Sequence, residues 1–369
     1  IIYCAPQMSG QKLVQHDVQQ YEGMAKDILD NRAATGEDAQ WTGGMFGGMP
    51  AYLINVLYPS QAVKGTIGKV VKVIDTPASF LFFTMTAMWI AMLLFGVNAW
   101  VAIIAALAYG FSTYFILIIG AGHITKMWAL MYAPLMMGGA YYTMRRNLWV
   151  GGALTALFTS LEIGANHPQI TYYLAIVIFA YAIGQFVYLC INKDKRHLLE
   201  NFFIASALLL VIGSVGIATN ANKLIPTYEY TPYTMRGGSE LSSDSDTHNS
   251  KGLDLAYATA WSYGIEEMPN LLIPNFNGGS SSGALDTDSE TGKLLKRAGQ
   301  PRLKETLKHM PLYWGPQPFT AGPMYMGAIS IFLFILGLCL IKGREKWWIV
   351  IASLIAILLS WGNHFMWFT

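Results

Sequence analysis

The chain has 369 residues, 53% of them hydrophobic and only 12% charged, with a formal net charge of +2. That charged share is about half of what a soluble domain carries, so the chain lacks the means to cover a soluble surface. With 11 Trp, 20 Tyr, 18 Phe and 3 Cys, disorder, collagen and a disulfide scaffold are excluded, and the near-neutral balance leaves no basic field for nucleic acid.

A polytopic membrane protein remains. Residues 1–77 read as an outer segment that begins Ile1-Ile2-Tyr3 without a signal peptide, so a span is expected to precede it. Val18, Tyr21, Ala25, Ile28 and Leu29 recur at helical spacing opposite Glu22, Lys26, Asp27 and Asp30. This predicts an amphipathic helix over 18–30, suited to lying on a membrane surface. Asp17 stands just ahead of it, where an N-cap belongs. The glycine-rich WTGGMFGGMP of 41–50 reads as a turn, and 51–74 as a second surface helix.

From Thr76 to Gly122 there is no Asp, Glu, Lys, Arg or His. A span needs roughly 20 apolar residues, so this stretch can cross twice, with a break near Gly96-Val97-Asn98. Eight spans are expected: 78–95, 99–119, 127–143, 149–163, 170–190 and 200–219, then 324–341 and 347–361. Long apolar runs without period-two alternation favour helices over a β-barrel. Arg145 and Arg146 lie in one connection, Lys193, Lys195 and Arg196 in another, and Lys342, Arg344 and Lys346 in a third. The positive-inside rule makes these cytoplasmic and puts 1–77, 120–126, 164–169 and 220–323 outside. Cys4 then faces out while Cys190 and Cys339 sit at inner helix ends, which predicts three free thiols.

The outer segment 220–323 holds YEYTPYTMRGGSEL, KGLDLAYATAWSYGIEE and YWGPQPFTAGP, an aromatic density that predicts an ordered cap. Its polar stretch Ser280–Gly292 is expected to be mobile. Residues 324–369 hold the last two spans, and the chain is expected to continue past Phe368-Thr369.

The unusual polar residues fall on one side of this topology: His16, Asp17, His123, Lys126, Glu162, Asn166, His167, Gln169, Arg236, Glu266 and Glu267. Each has an ordinary alternative. Asp17 can cap a helix, Lys126 can snorkel to the interface, and His167-Pro168 can open a span. Glu162 is harder to dismiss, because a carboxylate inside a span is costly and usually functional. There is no P-loop, zinc signature or nucleophile elbow, and the His/Asp spacings fit no metal pattern, so no cofactor is expected and a divalent metal is not favoured. The set suits transfer from a lipid-linked phosphate donor to an external acceptor. A base must reach the acceptor hydroxyl, and cations must stabilise the departing phosphate.

Gly10-Gln11-Lys12-Leu13, His16-Asp17, Gln20-Tyr21, WTGGMFGGMP, GAGHITK and EIGANHPQITYY, with TMRGGSEL, KGLDLAYATAWSYGIEE and YWGPQPFTAGPMY, together resemble the bacterial YfhO family of membrane proteins. The resemblance covers nearly the whole chain and implies a GT-C-like glycosyltransferase architecture. That is an all-α polytopic helical bundle with juxtamembrane helices in the first outer loop and a long extracytoplasmic loop. It implies a polyprenyl-phosphate sugar donor and an acidic catalytic residue near the start of that loop, a position that Asp17 matches. A single Asp here, in place of an acidic pair, again speaks against metal dependence.

On this reading Asp17 is the general base and Lys126, Arg236 and His123 hold the donor phosphate. His16, Gln20, Tyr21, Glu162, His167, Gln169 and Glu267 shape the sugar and acceptor pocket. The partners are the donor lipid, membrane lipid and an envelope glycan, lipid or polymer, and the location is the bacterial cytoplasmic membrane with the site facing outward. Two rivals stand beside it. A transporter or flippase of lipid-linked precursors predicts helices broken within the bilayer. A non-catalytic envelope-assembly subunit predicts that Asp17 and Lys126 are replaceable.

Overall fold

The computed structural model describes residues 4–237, 255–343 and 346–365. Outside the described residues lie Ile1-Ile2-Tyr3, Arg344 of the third basic connection, Phe368-Thr369, and 238–254 with the ends of two of the outer-loop motifs. The chain is mostly helical. In order it forms α1 (Ala5–Met8), α2 (His16–Thr35), β1 (Trp41–Thr42), β2 (Met49–Pro50), α3 (Ala62–Val71), α4 (Ala78–Leu94), α5 (Ala99–Gly110) and α6 (Thr113–Ala121). There follow α7 (Ile124–Arg145), α8 (Leu148–Gly164), α9 (Pro168–Ile191), α10 (Leu199–Ala218), α11 (Ala221–Tyr230), α12 (Leu255–Ala258), α13 (Glu290–Arg297), α14 (Leu303–Lys308), α15 (Ala328–Leu340) and α16 (Lys346–Trp361).

Among the described residues three helical stretches are long and apolar enough to cross a membrane: Pro168–Ile191, Lys193–Ala218 and Lys346–His364. A fourth is added if α5 and α6, bent by 47°, make one span. The sequence reads 99–119 as continuous, but the Thr113 N–H and hydroxyl both turn to the Tyr325 carbonyl, at 3.2 and 3.1 Å. A side chain or foreign acceptor entering the ladder is a sufficient cause of such a bend. α4, α8 and α15 are apolar but shorter. α7 is 22 residues long, and its Met127, Ala129, Met131, Tyr132, Leu135 and Ala140 are buried by other parts of the chain.

Contacts divide the chain into two compact units. The first comprises Ile1–Phe111, Ile118–Gly252 and Gly343–Ala352, and the second Ser112–Leu117, Leu253–Lys342 and Ser353–Thr369. In the first, Val71, Ala87, Met131, Tyr132, Leu135 and Leu161 form a core that Ile67, Phe83, Trp128 and Phe158 extend. Small residues let the helices meet: a Cβ on Gly139 of α7 would lie 2.8 Å from Thr155 Oγ1 and 3.1 Å from its backbone nitrogen on α8. Any larger side chain there would pry the pair apart.

α2 departs from the surface-helix expectation. Ala25 and Ile28 are fully buried, and Ile28 packs with Ala51 and Val56, flanked by Tyr52, Ile54 and Tyr58. The chain's own 51–58 segment thus covers part of the apolar stripe, although Tyr21 and Leu29 stay exposed. Covering Ile28 stabilises by about 1.5–3 kcal/mol relative to leaving it in water. The second surface helix is shorter than 51–74, because short turns at Ala51–Leu53 and Pro59–Gln61 precede α3. Arg32 pairs with Asp38 and donates to the Asn55 carbonyl at 2.9 Å, which closes this subdomain. The glycine-rich turn is a hairpin, with Trp41 opposite Pro50 and Thr42 opposite Met49.

The second unit is held by backbone pairing rather than by long elements. Gly278 bridges Tyr313 and Gly283 bridges Met310. Ser280–Gly292, expected to be mobile, is tied down: Ser281 N–H reaches Thr320 O at 2.9 Å and Leu285 N–H reaches Leu307 O at 2.8 Å. The polar composition was satisfied by main-chain bonds, which composition alone does not reveal. Cys4, Cys190 and Cys339 are free thiols.

Candidate active site

The site is built where the start of α2 meets the connection between α6 and α7. Gly122 adopts φ +91°, and a Cβ there would lie 3.1 Å from Gln15 Cβ, 3.2 Å from Asp17 Cβ and 3.3 Å from the Val18 nitrogen. Glycine therefore serves twice, in a left-handed turn and in a close approach. The buried Gln15 side chain donates to the Ile119 carbonyl, fastening the two segments. α2 begins at His16 with Gln15 in the cap position, so Asp17 is the second helical residue and not the cap. No side-chain bond caps the helix, and a carboxylate in the first turn is favoured by the positive helix end instead.

Asp17 Oδ2 lies 3.3 Å from His123 Nε2, and its Oδ1 lies 3.9 Å from His16 Nδ1. Both partners of the Asp17–His123 pair are roughly half exposed, so the carboxylate stays open to an incoming hydroxyl. Burial holds the His123 imidazole below its ordinary range; Lys126 lowers it further and Asp17 opposes them. His167 is lowered by burial first, then by Lys126 and His123. His123, Lys126 and His167 thus interact electrostatically at the head of α7 and the start of α9. His167 Nδ1 lies 3.4 Å from Thr125 Oγ1, while its Nε2 is buried without a hydrogen-bond partner. The arrangement offers an exposed carboxylate beside an imidazole, with a lysine and a second imidazole in the same cluster.

The other expected site residues distribute unevenly. Glu162, near the end of α8, is fully buried, and both its oxygens accept from Thr171 Oγ1 of α9 at 3.1 and 2.8 Å. Gln169 is exposed and donates to Tyr173 Oη at 3.1 Å. Tyr21 accepts from Asn55 Nδ2 at 2.6 Å, which ties it to the α2 subdomain, and Gln20 is exposed. Arg236 is exposed in the short turn Met235–Gly237, and its N–H bonds Thr234 Oγ1 at 3.3 Å. Glu267 belongs to the second unit, where it is buried. It accepts from Gly264 N–H at 2.9 Å and Tyr313 Oη at 2.6 Å, with Gln317 Nε2 at 3.3 Å, so its oxygens serve the scaffold there. Among the described residues no group of three His, Cys, Asp or Glu side chains is placed to hold a metal ion.

Sequence reasoning missed Gln15, Thr125 and Thr171, since single polar residues at helix ends carry no pattern. Family models, curated proteins and solved structures were compared with the chain, and none matches.

Proposed function

We propose that this protein is a polytopic membrane glycosyltransferase of the GT-C kind, akin to the YfhO family, with its site on the extracytoplasmic face of a bacterial cytoplasmic membrane. It moves a sugar from a polyprenyl-phosphate donor to an envelope glycan, lipid or polymer. Asp17 takes the acceptor proton, and Lys126 with His123 meets the donor phosphate. The observation that carries the reading is the Asp17–His123 approach of 3.3 Å, which joins the first outer segment to the head of α7 beside Lys126 and His167. An exposed carboxylate held by an imidazole next to a lysine is what a base beside a phosphate leaving group requires. Arg236 and Glu267 contribute less to this reading: the first has no described contact with the cluster, and the second is engaged within its own unit.

Eight spans with the basic connections inside remain part of the proposal, supported by helices at each of the eight apolar segments. The 47° bend between α5 and α6 favours a second reading, a flippase of lipid-linked precursors, because broken helices line transport paths. Transfer of a labelled sugar by purified protein in liposomes separates them. Asp17→Asn must slow transfer at least about 10²-fold while donor binding persists, and Lys126→Met must weaken donor binding. Donor movement across the bilayer with no transfer by the unaltered protein supports the flippase.

A further inference from the structure

A second cationic cluster lies outside the Asp17 site. Lys64 on α3 donates from Nζ to the carbonyl of Gly164, the last residue of α8. Its stem runs along that glycine: a Cβ on Gly164 would lie 3.3 Å from Lys64 Cδ and 3.1 Å from Asn220 Oδ1. Asn220 donates to Ser160 O at 3.1 Å and Gly216 O at 3.3 Å, which pins the ends of α8 and α10 together. Asn220 also precedes α11, whose first turn holds Lys223. Tyr52 Oη donates to Pro226 O at 2.8 Å and fixes α11 against the first outer segment.

Packing thus sets the Lys64 stem and Asn220 on the same glycine, and the Lys223 N–H bonds the Asn220 carbonyl at 3.0 Å, so both lysines flank Asn220. Burial, and then the charge of Lys223, brings Lys64 down to about 8, and burial lowers Lys223 as well. Among the described residues no ion pair engages either lysine. Two half-buried like charges are unfavourable unless an anion joins them. The α11 N-terminus, where the Asn220 side chain forms no cap, adds partial positive charge at the same place. Two lysines and a helix start suit a doubly charged oxyanion better than a single carboxylate.

We propose that Lys64 and Lys223 form a binding site for a phosphate group, separate from the Asp17 cluster. The site takes its phosphate as a free ion or on the headgroup of a single-chain amphiphile. It does not rest on the sugar-transfer reading. Its Gly164 anchor stands three residues before His167, so an anion here sits on the same α8–α9 connection as the candidate active site.

The test is residue-resolved amine labelling of the full chain in detergent, read by mass spectrometry, with inorganic phosphate and farnesyl monophosphate as separate probes at matched ionic strength. Either probe should slow labelling of Lys64 and Lys223 at least about fivefold, and leave the exposed Lys69 of α3 unchanged. Protection by both probes, or by the amphiphile alone, supports the site and tells the two sources apart. Lys223→Gln should remove the protection of Lys64 and raise the pH at which Lys64 begins to label. Protection should also fade as pH rises through about 8, because Lys64 then loses its proton. Unprotected lysines with both probes, or equal protection of Lys69, overturns the proposal. Since the first readout uses the unaltered protein, misfolding of a variant does not blunt it, and failure of sugar transfer leaves it standing.

Discussion

Replacing Asp17 by Asn removes one charge and almost no volume. Because Asp17 is the second residue of α2 and not its cap, the folding cost is limited to its interactions with the helix dipole and with His123. At half-exposed positions each is worth about 1 kcal/mol or less. The same change removes the proposed general base, and such a group typically contributes about 10²–10⁴-fold in rate. At 1.36 kcal/mol per tenfold this is about 3–5 kcal/mol of transition-state stabilisation. The catalytic effect therefore exceeds the structural one severalfold, and the two are measured separately. Transfer of labelled sugar from a polyprenyl-phosphate donor in liposomes gives the rate, donor binding gives the ground state, and thermal unfolding in detergent gives stability. The expected result is normal folding and donor binding with a rate lowered at least about 10²-fold. Transfer within about threefold of the unaltered protein would refute Asp17 as base and leave it a first-turn anion only.

Three other outcomes follow from the geometry. Gly122→Ala places a methyl against Gln15, Asp17 and Val18 at a left-handed backbone position, so it should displace the start of α2 and slow transfer about 10²-fold. Gly120→Ala, whose Cβ meets nothing within 4 Å, should leave the rate unchanged, and equal rates for the two variants would contradict the close approach. Glu162→Gln keeps an acceptor for the Thr171 hydroxyl but buries an unpaired amide, so stability should fall by about 1–3 kcal/mol in thermal unfolding. If Glu162 shapes the pocket, turnover per folded molecule falls as well, whereas normal turnover would make it structural. With Cys4, Cys190 and Cys339 replaced by serine, a membrane-impermeant thiol reagent applied to intact cells should label Gln169→Cys and not Lys193→Cys, and the reverse pattern would overturn the orientation.

Helices were legible wherever one property repeated. Apolar runs announced α4, α7, α8, α9 and α10 nearly to their ends, because a long uncharged stretch has few ways to satisfy its backbone other than a helix. The 3.6-residue stripe announced α2, and the glycines of WTGGMFGGMP announced the hairpin. What covers each surface was not legible. The stripe of α2 fits a membrane or a protein equally well, and only the tertiary structure shows that Ala51 and Val56 cover Ile28 while Tyr21 and Leu29 stay exposed. Just after Gly110 the Thr113 hydroxyl finds its acceptor on Tyr325, far along the chain. Partners were the least legible of all: Asp17 with His123, Glu162 with Thr171, and Lys64 with Lys223 are pairs between distant segments. A sequence states local preference, and a contact between remote residues depends on how closely helices pass, which here is set by single glycines such as Gly122 and Gly139.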